Sequence, residues 1–224
     1  YTDRVAYYKT VINGNEVYRF CTEDSEIIQL NSNNLRLKCL KNGENNKRIF
    51  FLEGNSFTAH FVPLFNKIEI NDAIYFNHRG GALENISYDL INSLTKKYQD
   101  VIFVTQISNE KYLTRLIEII NSLDKNVEII ILGNIPNIPS HIKPLKCFIK
   151  NINCEYNALD DINKRGIEVL NLKIRKLADN NDRINFFDPY KSICSNKICK
   201  VNDKEKNLIT HRDKNHLTIE GALL

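Results

Sequence analysis

The chain has 224 residues, 42% of them hydrophobic and 26% charged, proportions of a globular domain with room for a sizeable core. Its formal net charge of +4 comes from interspersed acids and bases, so no basic tract of the kind that neutralises nucleic-acid phosphates is present. No apolar run approaches the ~18 residues that span a bilayer, and no secretory leader opens the chain.

In chain order, residues 1–46 are polar and rich in turn signals such as Asn13-Gly14-Asn15, Asn31-Ser32-Asn33-Asn34 and Asn42-Gly43-Glu44. They read as a linker or extension packing on the domain, with short pieces at 16–20 and 35–37 able to extend. The domain proper is expected over 47–224. From Lys47 onward short apolar runs alternate with helical patterns. Strands are predicted at 48–52, 73–76, 101–105, 127–132 and 184–187, as continuous runs of Ile, Val and Phe suited to a sheet covered on both faces. Helices are predicted at 58–65, 84–97, 110–123 and 160–178. In the third, Tyr112, Leu113, Leu116, Ile119, Ile120 and Leu123 form an apolar stripe. Repeated strand–helix alternation indicates a doubly wound α/β sandwich. In such a sheet the ligand lies beyond the carboxyl ends of the strands, where the strand order switches.

Methionine is absent, so Tyr1 is not expected to be a natural start, and 221–224 reads as an interrupted helix. The expectation is a piece of a longer protein whose targeting or membrane part lies upstream. The six cysteines are Cys21, Cys39, Cys147, Cys154, Cys194 and Cys199. Disulfides in an oxidising compartment are the favoured reading of this even count, ahead of reduced structural thiols. Cys194 and Cys199 are spaced for a small stapled loop. A zinc site is the remaining alternative, although no C-x-x-C motif supports it.

Two segments carry chemistry. Glu53-Gly54-Asn55-Ser56-Phe57 follows the first strand of the alternating part, and Asp213-Lys214-Asn215-His216-Leu217-Thr218 lies near the C-terminus. Ser56 is the candidate nucleophile, His216 the base that takes its proton, and Asp213 the carboxylate that orients the imidazole. Gly54 is expected to allow a sharp turn, and the helix after Ser56 to offer N–H groups to a developing oxyanion. Either segment alone is an ordinary loop motif. Their combination with the intervening α/β units is specific. His60, His78, His141 and His211 read as solvated or structural.

On these residues the chain resembles the SGNH family, and more narrowly the SGNH domain fused behind the membrane acyltransferase domain of bacterial O-antigen and other surface-glycan O-acetyltransferases. The matching stretches are Phe51 to Ser56, Asp100 to Phe103, Val127 to Leu132 leading to Ile135-Pro136, Phe186 to Pro189, Cys194 to Cys199, and Arg212 to Thr218 with Gly221-Ala222. The resemblance implies a flavodoxin-like three-layer α/β sandwich with a central parallel sheet, the SGNH hydrolase fold. It also implies a Ser56–His216–Asp213 triad that moves an acyl group, most often acetyl, onto a sugar hydroxyl through an acyl-serine. The setting it implies is the periplasmic or extracytoplasmic face of a bacterial inner membrane. There the partners are a surface polysaccharide or lipid-linked glycan and an N-terminal transmembrane acyltransferase domain. That domain would bring the acyl group across from a donor such as acetyl-CoA; no cofactor or metal is expected on this domain itself. A carbohydrate esterase with the same triad and a non-catalytic glycan-binding module are the alternatives. Asn55 stands where the family has aspartate, and Phe57 where it often has histidine. The oxyanion glycine is assigned to Gly80, or to Gly81. The amide donor is assigned to Gln106 or Asn109, with Asn134 a further possibility.

Overall fold

A computed structural model describes residues 47–54, 58, 72–78, 83, 86, 88–203, 205, 208–211, 214, 216–218 and 221, with the backbone alone at 26–31, 36–41, 77 and 78. The framework is a seven-stranded sheet in the order β1-β2-β4-β3-β5-β6-β8. Its strands are β1 (Glu26–Asn31), β2 (Arg36–Lys41), β3 (Arg48–Gly54), β4 (Ala73–His78), β5 (Asp100–Gln106), β6 (Val127–Leu132) and β8 (Ile184–Phe187). The run from β4 to β8 is parallel throughout, whereas β1 and β2 form an antiparallel pair added alongside β4. Counted from β3, the parallel strands stand in the order 2-1-3-4-5, the flavodoxin-like order whose switch point lies between the first and third strands, here β3 and β5.

These runs form strands because they are buried on both sides; every residue from Val101 to Gln106 is buried. Alternate side chains enter two cores. One contains Ile49, Phe51, Tyr75, Phe103, Ile129 and Ile131, with Phe51 stacked on Tyr75 at 4.7 Å between ring centroids. It is covered by helices α1 (Tyr88–Leu94), α2 (Glu110–Ser122) and α5 (Ile167–Asp179), through Ile91, Leu113, Leu116, Ile119, Leu170 and Ile174. The other contains Leu52, Ile74, Phe76, Ile102, Val104 and Leu132. Helices α4 (Leu159–Arg165) and α6 (Pro189–Ile193) cover it, together with Tyr156, Val201 and Leu217.

The five predicted strands are all present, three of them longer than expected at one or both ends. The helix expected over 160–178 is two helices, α4 and α5. Gly166 separates them in the left-handed conformation, at φ 61° and ψ 30°. A glycine there closes one helix without the Cβ penalty. The two helices also serve different sides of the sheet: Ile162 of α4 packs in one core, joined by Ile167 at the start of α5, and Leu170 and Ile174 further along α5 pack in the other. The helix expected over 84–97 is helical only at Tyr88–Leu94 among its described residues. It ends where the N–H groups of Lys97 and Tyr98 both turn back to the Leu94 carbonyl. The helix expected over 58–65 lies outside the described residues apart from Thr58.

Helix α3 (Pro144–Ile149) and two small sheets were not anticipated. Strands β7 (Glu155–Asn157), β9 (Cys194–Ser195) and β10 (Ile198–Lys200) form a three-stranded sheet, and β11 (Asn202–Asp203) pairs with β12 (Leu208–Ile209). Disulfides Cys147–Cys154 and Cys194–Cys199 staple this region, and no free cysteine occurs among the described residues.

Candidate active site

The carboxyl ends of the parallel strands, Gly54, His78, Gln106, Leu132 and Phe187, share one edge of the sheet. Gly54 closes β3 at the switch point, two residues before Ser56 in the sequence. Its need for glycine is spatial. A Cβ there would stand 2.0 Å from the Thr58 hydroxyl oxygen. Thr58 is itself buried, and its hydroxyl donates to the Glu53 carbonyl at 3.3 Å. Ser56, Asp213 and Gly80 lie outside the described residues, as does Gly81.

His216 is described and half-buried, next to the core residue Leu217. Its segment reaches the sheet edge through two sets of bonds. On either side of this segment, His211 and Leu217 form an antiparallel bridge, and the Thr218 N–H donates to the Thr210 carbonyl at 3.0 Å. Within the segment, the Lys214 carbonyl accepts the Ile138 N–H at 2.7 Å. Ile138 belongs to the loop leaving the carboxyl end of β6, and that loop is gripped from below. Asp161 accepts from the Asn137 N–H at 2.8 Å and its side-chain amide at 3.1 Å, Arg165 donates to the Ile135 carbonyl at 3.0 Å, and the Tyr156 hydroxyl donates to the Pro136 carbonyl at 3.2 Å. Neighbouring Asp161 and Arg165 are themselves paired at 3.2 Å. Burial, followed by the Asp161 charge, pushes the Tyr156 hydroxyl well above the usual phenol range, so it remains a donor.

The three amide candidates behave differently. Gln106, buried at the end of β5, donates from Nε2 to the Asn134 side-chain oxygen at 3.1 Å and to the Gly133 carbonyl at 3.4 Å. Both of its N–H donors are thereby directed into the protein. Asn134 is buried and donates to the Ser108 carbonyl at 3.2 Å. Together these bonds stitch the loop after β5 to the loop after β6. Asn109 is exposed and caps α2: its Oδ1 accepts the Tyr112 N–H at 3.1 Å. Capping uses its oxygen, and its Nδ2–H2 donors are not needed for that role. The partial positive charge of the α2 N-terminus is on the same side of the sheet.

The sequence reading passed over Thr210 and Asn202. Asn202 is buried and clamps the Cys147–Cys154 loop, donating to the Ile152 carbonyl and accepting the Cys154 N–H, each at 2.9 Å. A single Asn or Thr outside any periodic pattern carries no sequence signal of such a role. Among the described residues no group of His, Cys, Asp and Glu could hold a metal ion, and no helix is long and apolar enough to cross a membrane.

A parallel 2-1-3-4-5 sheet with its candidate site at the carboxyl edge defines a flavodoxin-like α/β domain. Residues 21–224 match the family described as an SGNH domain fused to AT3 domains, and the chain belongs to that family. No curated protein matches it.

Proposed function

We propose that this is the acyl-transferring domain of a surface-glycan O-acyltransferase, with Ser56 as nucleophile, His216 as general base and acid, and Asp213 as its orienter. In the first half-reaction Ser56 Oγ attacks the acyl carbonyl while His216 takes the serine proton. The donor's leaving group departs with that proton, leaving an acyl-serine. A sugar hydroxyl then gives its proton to His216 and attacks the ester, which restores Ser56. Asn109 is the favoured amide donor to the oxyanion, because both Gln106 donors are used internally. Gly80 is the favoured backbone donor.

The observation that carries the reading is topological. The chain just before Ser56 ends at the β3/β5 switch point, and the loop between Thr210 and Thr218 is bonded to the segment leaving the neighbouring strand β6. Chain segments far apart in sequence thus approach one sheet edge. The stapled cysteines support an oxidising compartment, the extracytoplasmic face of a bacterial inner membrane. The fusion pattern of the family supports a transmembrane partner domain that delivers the acyl group, acetyl from acetyl-CoA in the simplest case.

The test uses 4-nitrophenyl acetate, with water standing in for the sugar, and a serine-directed fluorophosphonate. Ser56→Ala and His216→Ala are each expected to lower turnover by ~10³-fold or more while the protein stays folded. Wild-type turnover in either variant would remove that residue from the mechanism.

A further inference from the structure

Thr210 is buried beside the His211–Leu217 bridge that flanks the segment containing His216. Its N–H donates to the Val201 carbonyl at 2.9 Å, and its own carbonyl accepts the Thr218 N–H at 3.0 Å. Its hydroxyl oxygen lies 2.8 Å from the Lys200 carbonyl, 2.7 Å from the Val201 carbonyl and 2.7 Å from His211 Nδ1. A hydroxyl has one proton and two lone pairs. Its one proton serves one of these acceptors or is shared between them, and the direction of its bond to His211 follows the tautomer of that imidazole. Lys200 is the last residue of β10, directly after Cys199, whose disulfide to Cys194 closes the β9–β10 hairpin. Val201 is tied in turn to Cys154, whose carbonyl accepts its N–H at 2.9 Å.

We propose that Thr210 is a positioning residue for the acyl transfer: its hydroxyl couples the loop bearing His216 to the disulfide-stapled hairpin. The proposal rests on His216 being the general base. Among the described residues Thr210 is hydrogen-bonded to Lys200, Val201, His211 and Thr218, none of them a proposed reacting group. It holds His211, which is bridged to Leu217, the residue following the base. A general base works only within hydrogen-bond reach of its proton, and a displacement of about 1 Å can cost ~10²-fold in rate. A loop tied at its base by backbone bonds alone would retain its course while losing that precision.

The experiment compares Thr210→Val, which removes the hydroxyl at nearly constant shape, with Thr210→Ser, which keeps it. Each is assayed well below its own melting temperature. For Thr210→Val, kcat on 4-nitrophenyl acetate is expected to fall ~10–100-fold with KM nearly unchanged, and fluorophosphonate labelling to slow in proportion. Thr210→Ser is expected to restore both. A merely structural residue would lower the melting temperature and leave kcat of the folded protein intact, and that result would overturn the proposal. Should Thr210→Val not fold, the double variant Cys194→Ser, Cys199→Ser takes its place. Released from its staple, the hairpin should cost kcat several-fold at constant KM, and unchanged kcat would count against the coupling. His216→Ala separates the two levels. Wild-type kcat in Thr210→Val beside a dead His216→Ala sinks the Thr210 role alone; wild-type kcat in both sinks the triad with it.

Discussion

Glycine is required at Gly166 and Gly221 for different physical reasons, and the two sites respond differently to a methyl group. Gly166 has open space where a Cβ would go, so alanine there meets only the left-handed backbone. Such a substitution costs about 1 kcal/mol. At Gly221 a Cβ would lie 1.9 Å from the Thr210 carbonyl oxygen, which is backbone and cannot rotate away. The Gly221 N–H also donates to Thr218 Oγ1 at 2.8 Å. Gly221→Ala is therefore expected to destabilise by more than Gly166→Ala, by about 1–3 kcal/mol, because the C-terminal segment must shift. Urea midpoints of the two variants check the order. Of the residues at the candidate site, the sequence makes the chemistry-bearing types legible: a serine after the first parallel strand and an Asp-x-x-His at the far end. It does not reveal that Gln106 spends its donors on Gly133 and Asn134, since those partners are 27 and 28 residues away.

Among the elements, the small three-stranded sheet and its disulfides form the support on which the segment carrying His216 rests. The Cys194–Cys199 loop is short, with a sequence separation of 5, so loop-closure entropy alone assigns its bond about 2 kcal/mol. Replacing both cysteines by serine is expected to lower the melting temperature accordingly, and a reductant should cost the wild type at least that much, because it opens Cys147–Cys154 as well. Equal melting temperatures with and without reductant would show that the hairpin is held by β10–β7 pairing instead. This sheet escaped the sequence reading because its strands are only two or three residues long. Periodicity cannot register in so few positions. Helices α4 and α5 were read as one for a related reason. Their apolar spacing continues across Gly166, and only the two separate cores distinguish the faces.

For the molecule as a whole, stability should depend on alkaline pH through Tyr156. Burial raises its pKa in the folded state above the unfolded value of 10.0. The folded protein then holds the phenolic proton where the unfolded chain releases it. This contribution is fully present below pH 10 and is lost as pH rises above it. Tyr156→Phe should flatten that decline. It should also cost about 1 kcal/mol at neutral pH, because the Pro136 carbonyl loses its donor. Chemical denaturation at pH 8 and pH 11 measures both effects.

The sequence by itself determined the parallel α/β core and where the candidate residue types fall along the chain. Long buried runs of Ile, Val and Phe between amphipathic helices leave few other ways to bury their surface. Tertiary structure alone decided how far that core extends and what supports the site. The β1–β2 pair joins β4 through backbone bonds that no side-chain pattern announces. The bond of the Lys214 carbonyl to the Ile138 N–H, and of the Thr210 N–H to the Val201 carbonyl, also uses groups that every residue possesses. Such contacts become specific only when the fold brings the two segments together.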